Sequence, residues 1–126
     1  MASEGFHESE QHLSAATRDM HRAIVSLMEE LEAVDWYQQR VDATGDDALR
    51  EILGHNRDEE KEHAAMVLEW IRRHDKVLDA KLREFLFTEG AIVGREQALE
   101  HGERGGGSPN GRASSAGTLG SLRGGR

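Results

Sequence analysis

The 126-residue chain contains no cysteine, one proline and few aromatic residues, which make up 5% of it. Without cysteine, disulfide bonds, thiolate nucleophiles and cysteine-ligated zinc are excluded. No stretch is long and apolar enough to cross a bilayer, and residues 1–10 lack the hydrophobic segment of a signal peptide. These absences predict a soluble, cytoplasmic protein that has no membrane partner.

Charge and glycine are unevenly distributed and divide the chain. The formal net charge is −8, but from residue 103 onward there are four arginines and one glutamate, so this end carries +3 and the body carries −11. An acidic body favours cations over nucleic acid as partners. Nine of the 14 glycines and the only proline lie at or after Gly102. Residues 102–126 are therefore predicted to be a disordered tail, and residues 1–10 a flexible N-terminus.

Apolar residues recur at helical spacing in the body of the chain. In the first segment the steps are three, four and seven residues, at Leu13, Met20, Ile24, Leu27, Leu31, Val34 and Val41. Gly45 ends this helix, and an aspartate directly after it can cap a second helix that runs to about residue 74. A shorter helix follows in the segment KVLDAKLREFLF. Residues 11–90 are thus predicted to form an all-α domain, a two-helix antiparallel hairpin with a short third helix, and residues 91–101 a weakly structured extension.

Two ionisable residues interrupt the apolar stripe of the second helix. At 100° per residue, Glu60 and His63 fall within roughly 40° of the centre of that stripe. A buried carboxylate destabilises a fold unless a partner compensates its charge. Taken singly, a glutamate paired with Arg57 and a hydrogen-bonded core histidine would be the ordinary explanation. Together they form Glu-x-x-His, the spacing by which one helix of a ferritin-like di-iron protein supplies a carboxylate and an imidazole to a metal cluster.

The first helix carries Glu30 at the flank of its own apolar stripe. A di-iron carboxylate site takes a lone glutamate from one helix and Glu-x-x-His from a facing helix, and it uses each set twice. This chain contains each set once, which predicts half a site and half a four-helix bundle. A symmetric homodimer completes both, because Glu30, Glu60 and His63 of two copies then meet at the two-fold axis. Oxygen ligands with imidazole suit iron, manganese or zinc, so these residues alone do not select the metal.

A second group of residues lies on a face turned away from the stripe of the first helix. Glu29, Glu32 and Trp36 share this face, and a tryptophan beside two carboxylates indicates a further subunit contact with a cation site next to it. Tyr37 is a candidate for the surroundings of the metal pair, or else ordinary helix surface. The residues also leave two other functions open. One is a non-redox dimer held together by zinc or manganese, and the other is a helical interaction module in which the Glu-x-x-His pair only fixes register.

The segments HRAIVSLMEELEAVDWY and HNRDEEKEHAAMVLEWIRR resemble the encapsulated ferritins, the ferritin-like cargo proteins of encapsulin nanocompartments, and the likeness covers roughly residues 20–90. The resemblance implies a ferroxidase that oxidises Fe(II) to Fe(III) at a diiron site formed across a homodimer interface. It implies the following roles: iron ligation by Glu30, Glu60 and His63, iron uptake at Glu29 and Glu32, a contact between dimers at Trp36, and a place near the diiron site for Tyr37.

The same resemblance implies an assembly and a location. Dimers of this family join into a ring, typically of five dimers, and the ring is held inside an encapsulin shell that stores the iron. The segment TLGSLRGGR, residues 118–126, is similar to the peptides by which cargo docks on the inner wall of the shell. In it Leu119 and Leu122 are two apolar anchors on a flexible tether, with Arg123 beside them. The resemblance therefore places the protein inside a cytoplasmic nanocompartment, with the shell protein as its partner.

Overall fold

In the computed structural model, which describes residues 5–105 and the side chains of residues 5–102, the regular elements are helical. They are a 3₁₀ turn at Glu10–His12, α1 at Ala15–Ala43, α2 at Asp47–Arg73, α3 at Lys76–Phe85 and α4 at Ile92–Gly105. Residues 5–105 contain no strand, so the all-α prediction is confirmed. Within that range no helix has the length and apolar character needed to span a bilayer.

Side-chain caps fix where α1 and α2 begin. The Ser14 hydroxyl accepts a hydrogen bond from the backbone N–H of Thr17 at 3.0 Å, which satisfies one of the free donors at the start of α1. The Asp46 carboxylate accepts from the N–H of Leu49 at 2.9 Å, so of the two candidate aspartates Asp46 is the cap of α2. Only residues 44–46 separate the two helices. Because this connection is so short, α1 and α2 run antiparallel as neighbours, and they pack against each other.

Two arginines of α2 tie the hairpin together. The Arg50 guanidinium donates to the backbone carbonyl of Thr44 at 2.5 Å and to that of Val41 at 3.4 Å. These carbonyls lie at the end of α1, where helical partners run out. Two turns further along α2, Arg57 donates to the Gln38 side chain of α1 at 2.8 Å. Both bonds fix how far α1 and α2 are shifted along one another.

The hairpin leaves much of its apolar surface uncovered. Ala64 and Ile71 are the buried hydrophobic residues of the part of the chain that the structure describes. Six large apolar side chains of the hairpin lie in two short stripes and are between 37% and 59% exposed: Ile24, Met28 and Leu31 on α1, and Ile52, Met66 and Trp70 on α2. Their spacing puts each set on one face of its helix. The sequence pattern therefore encodes more apolar surface than two helices can bury on each other.

Part of the N-terminal segment 1–10, which the sequence predicts to be flexible, lies within the described residues and contacts α1. Residues 5–13, called here the N-terminal arm, lie along the start of α1. A guanidinium nitrogen of Arg18 donates to the carbonyl of Leu13 at 2.7 Å and to that of Glu10 at 3.1 Å. The Phe6 ring contacts the His21 ring with centroids 4.6 Å apart. These contacts lie between residues up to 15 positions apart, and composition alone does not reveal them.

A second compact unit begins at Lys76 and contains α3 and α4. Arg95 of α4 donates to the carbonyl of Glu84 at 2.9 Å, and the Thr88 hydroxyl donates to the carbonyl of Phe85 at 2.7 Å, so both satisfy carbonyls at the end of α3. Phe87 follows in the left-handed region, with φ 61°.

Residues 92–101 of the extension predicted as weakly structured lie in α4, a helix that continues past the predicted tail boundary at residue 102. Its alanine, leucine, glutamate, glutamine and arginine residues favour helix and outweigh its glycines. The predicted docking segment 118–126, with Leu119, Leu122 and Arg123, lies outside the described residues.

Candidate metal centre

The facing sides of α1 and α2 bring Glu30, Glu60 and His63 to one point. Glu60 and His63 are one turn apart on α2, and Glu30 approaches from α1. One ligand atom from each residue can be chosen so that all three lie within 4.8 Å of one another. The Nδ1 nitrogen of His63 is 3.0 Å from Oε1 of Glu60 and 3.6 Å from Oε2 of Glu30. The pair that interrupts the stripe of α2 thus meets the lone glutamate of α1.

These separations suit the coordination shell of one small cation. Oxygen and nitrogen ligands lie about 2.1 Å from a transition-metal ion such as zinc, so two of them at a right angle are about 3 Å apart. At a tetrahedral angle the same bond lengths separate two ligands by about 3.4 Å. The two distances from His63 Nδ1, 3.0 Å and 3.6 Å, lie close to these values. The imidazole and each of the two carboxylates are therefore spaced as two ligands of one divalent metal would be.

Without a cation the three side chains shift one another's pKa. A hydrogen bond with Glu60, then burial and the charge of Glu60, raises the pKa of Glu30. The same hydrogen bond, with a second one from His63, lowers the pKa of Glu60. The hydrogen bond to Glu60 raises the pKa of His63, whose Nδ1 donates to that carboxylate. A divalent cation at this point would take the place of the protons in these hydrogen bonds, since it satisfies all three groups at once.

The cluster is open on one side. The side chain of His63 is 44% exposed, whereas those of Glu30 and Glu60 are 25% exposed. On the helical wheel His63 falls on the face that carries Ile52, Met66 and Trp70, so the open side is bordered by uncovered apolar groups. Within residues 5–105 the group has these three members. The chain therefore presents a group of three possible metal ligands whose open side lies next to uncovered apolar surface.

Arg57 is not the partner of Glu60. Its guanidinium donates to Gln38 at 2.8 Å and to Asp58 at 3.0 Å, and the carboxylate of Glu60 is instead engaged by His63 and Glu30. The ordinary explanation of Glu60 as one half of an ion pair with Arg57 is therefore wrong. The partner of Arg57 on α1 is Gln38, which the sequence does not reveal because the two residues lie 19 positions apart.

The other residues singled out in the sequence lie on α1 outside this cluster. Tyr37 is half-buried and follows Glu30 by seven residues, which places it about 10 Å further along the same side of the helix. The Arg40 guanidinium carbon lies 5.4 Å from the centre of its ring. Glu29, Glu32 and Trp36 are exposed on a different face, with Trp36 50% exposed.

Comparison with known proteins gives matches along most of the chain. Residues 5–89 match the EncFtn-like family. The chain is 54% identical to the encapsulated ferritin-like protein of Rhodospirillum rubrum, over 98% of this chain and 91% of that protein. It is 36% identical to the encapsulin nanocompartment cargo protein EncC of Myxococcus xanthus, over 59% of this chain and 65% of that protein. A crystal structure of a protein from Nitrosomonas europaea is 64% identical with a TM-score of 0.68, over 70% of this chain and 97% of that chain.

Proposed function

Because the chain belongs to the EncFtn-like family, we propose that it is a ferroxidase, which oxidises Fe(II) to Fe(III), and that Glu30, Glu60 and His63 bind the iron. The observation that carries this proposal is the meeting of these three side chains within 4.8 Å. Their donor atoms are two carboxylate oxygens and an imidazole nitrogen, the set that di-iron carboxylate proteins draw from each pair of facing helices. Iron is here the substrate.

A symmetric homodimer completes the site in this proposal. One chain supplies three ligands, whereas a di-iron centre takes a lone glutamate and Glu-x-x-His twice. The open side of the cluster and the apolar stripe of Ile52, Met66 and Trp70 border each other, so one partner surface would cover both. A second copy related by a two-fold axis brings the same three ligands to the same place. Each dimer site then binds two Fe(II) ions between four carboxylates and two imidazoles.

The ligands favour oxidation through their charge. Four carboxylates stabilise Fe(III) more than Fe(II), because attraction to an anionic oxygen grows with the charge of the cation. Two Fe(II) ions give up two electrons, which dioxygen accepts. Tyr37, whose ring is covered by the guanidinium of Arg40, would lie at the edge of the completed site and narrow the access to the iron pair.

Iron would reach the site from the acidic outer face of α1. Glu29 and Glu32 are exposed there and raise the local concentration of cations. Trp36, on the same face, would lie in a contact between dimers, through which the dimers join into a ring of ten chains. The outer face thus combines iron uptake with assembly.

The protein would work inside an encapsulin shell in the cytoplasm. This step is supported by the name of the Myxococcus xanthus relative, an encapsulin nanocompartment cargo protein. The docking segment would be residues 118–126, with Leu119 and Leu122 as apolar anchors and Arg123 beside them. Several such tails on one ring would bind the inner wall with avidity. The shell would then store the Fe(III) that the ring produces.

The proposal is tested by adding Fe(II) to the full-length protein without oxygen and then admitting air. Fast Fe(III) absorbance that saturates at one iron per chain is the expected result, because each dimer site holds two ions. A Glu62→Gln variant is the matched control, since Glu62 is exposed on α2 and lies outside the cluster. If the wild type bound iron but oxidised it no faster than buffer does, the site would be a structural metal centre instead.

A further inference from the structure

The outer face of α1 is a continuous stripe, and the proposed function uses half of it. The stripe consists of residues spaced by three or four positions: Arg18, Arg22, Val25, Glu29, Glu32 and Trp36. Its second half contains the proposed uptake site and the tryptophan of the proposed contact between dimers. Its first half, from Arg18 to Val25, has no role in that function.

This outer face is self-complementary when two copies lie antiparallel. Its members are placed symmetrically about position 27, so that Arg18 in one copy comes opposite Trp36 in the other, and Arg22 lies level with Glu32. Residues 15–23 contain two arginines and one aspartate, whereas residues 24–36 contain four acidic residues and no lysine or arginine. Unlike charges therefore meet in the antiparallel arrangement, and like charges meet in the parallel one. A second copy of the chain is the partner that this pattern fits.

In this arrangement the N-terminal arm and Arg18 of one copy lie opposite Trp36 of the other. The N-terminal arm is folded on the first turns of α1, held by the bonds of Arg18 to the carbonyls of Leu13 and Glu10 at 2.7 Å and 3.1 Å. Those bonds fix the plane of the guanidinium, and a guanidinium plane is a favoured partner for the face of an indole ring. The contact of Phe6 with His21, three residues after Arg18, adds an apolar ring to the same arm.

We infer that Trp36 of one copy docks on the Arg18-held N-terminal arm of a second, antiparallel copy, and that the contact is reciprocated about a two-fold axis. The inference rests on the proposed function, because it takes Trp36 as part of the contact between dimers and adds that the N-terminal arm is the surface it contacts. Two different isologous contacts per chain, one at the iron site and one on the outer face, would link dimers one after another, and the assembly closes into a ring where the two-fold axes intersect. Glu29 comes close to its own symmetry copy in this register, and a bound cation would offset that repulsion.

The test compares four full-length variants by native mass spectrometry at one protein concentration. Arg18→Gln frees the arm, Phe6→Ala removes its apolar ring, and Trp36→Gly removes the docking group. Each is expected to weaken the dimer–dimer association constant by about tenfold or more, the loss of one cation–π or apolar anchor made twice per contact. Arg73→Gln is the control, because it removes the same charge from an exposed ion pair on α2. Circular dichroism checks that every variant remains helical.

A second readout follows Trp36 itself. In a Trp70→Phe background, Trp36 is the only tryptophan, and its emission should shift to the blue as dimers assemble. Adding Arg18→Gln should abolish this shift while leaving the ferroxidase rate per dimer equal to that of the Trp70→Phe protein. If Arg18→Gln and Phe6→Ala assembled fully while Trp36→Gly dissociated, the N-terminal arm would not be the surface that Trp36 contacts. The proposed function would remain intact. Full assembly by Trp36→Gly would overturn the outer-face contact in both proposals, whereas the oxidation assay tests the iron site separately.

Discussion

Substitution of Glu60 by glutamine should remove iron oxidation while leaving the hairpin intact. Glu60 touches both other members of the cluster, since it accepts from His63 at 3.0 Å and shares a hydrogen bond with Glu30. Glutamine keeps the shape of the side chain and can still accept from His63 through its amide oxygen. It loses the negative charge that a divalent cation needs. The change therefore separates metal binding from folding.

The structure sets the size of both effects. In the proposed symmetric site one substitution removes two of six ligands. Removing groups that merely orient metal ligands already lowers affinity or activity by about 10- to 100-fold, so we expect a loss of at least about 100-fold in rate. The free energy of unfolding of the metal-free protein should change by no more than about 1 kcal/mol, since one exchanged hydrogen bond contributes roughly that much.

Stopped-flow absorbance after anaerobic loading with Fe(II) and mixing with oxygen measures the rate, and thermal unfolding of the metal-free protein measures stability. Glu62→Gln, two residues away on the exposed side of α2, should behave as wild type in both assays. A Glu60→Gln protein that melts normally and oxidises iron at the wild-type rate would refute the assignment of the ligands.

Three further changes test how the fold is held. Gly54→Ala should raise the free energy of unfolding, measured by circular dichroism, by about 1 kcal/mol, because Gly54 lies inside α2. The added methyl would meet only the Arg57 guanidinium, at an ordinary contact distance of 3.7 Å. A destabilised variant would show that another chain approaches this position. Phe87→Gly should stabilise the α3–α4 unit by roughly 0.5 kcal/mol, because the Phe87 backbone has φ 61°, which glycine adopts without strain, and the lost ring is 68% exposed. A lower melting temperature would mean that the packing of the ring contributes more than the backbone strain costs. Two neighbouring arginines lower the pKa of Glu69 to about 2 from 4.5, so its stabilisation is complete above pH 4.5 and is lost as the pH falls towards 2. The difference in melting temperature between wild type and Glu69→Gln should therefore shrink between pH 5 and pH 3, and a constant difference would contradict the ion pair.

That Glu30, Glu60 and His63 come together was largely predictable, because it depends on spacing within helices. Glu-x-x-His is fixed by one turn of α2, and Glu30 was identified as the lone glutamate that complements it. Whether Glu30 meets that pair depends on the shift of α1 along α2. That shift follows from the short connection at residues 44–46 and from the hydrogen bonds of Arg50 and Arg57. The connection can be recognised in the sequence, whereas the hydrogen bonds cannot.

The exposure of His63 was less predictable. The helical wheel placed it near the centre of an apolar stripe, which suggests burial, yet it is 44% exposed. The reason is that the apolar stripe is wider than one neighbouring helix can cover, so the part of it that includes His63 remains open in a single hairpin. The N-terminal arm illustrates a similar limit, because its anchoring bonds run from one arginine to backbone carbonyls, which carry no sequence signal.

Iron should drive the chains together, because the feature that leaves the ligands open also leaves the apolar stripes uncovered. In the proposed site a single chain offers three ligands and the symmetric dimer offers six, so Fe(II) should bind the dimer more tightly and shift the equilibrium towards it. By linkage, dimer formation raises the affinity for iron by the same factor. Light scattering at a low protein concentration, without oxygen, should show monomer converting to dimer or larger species when Fe(II) is added, and His63→Ala should abolish the shift. An assembly equally complete with and without metal would show that the apolar stripes alone suffice, and that the two half-sites are joined before iron arrives.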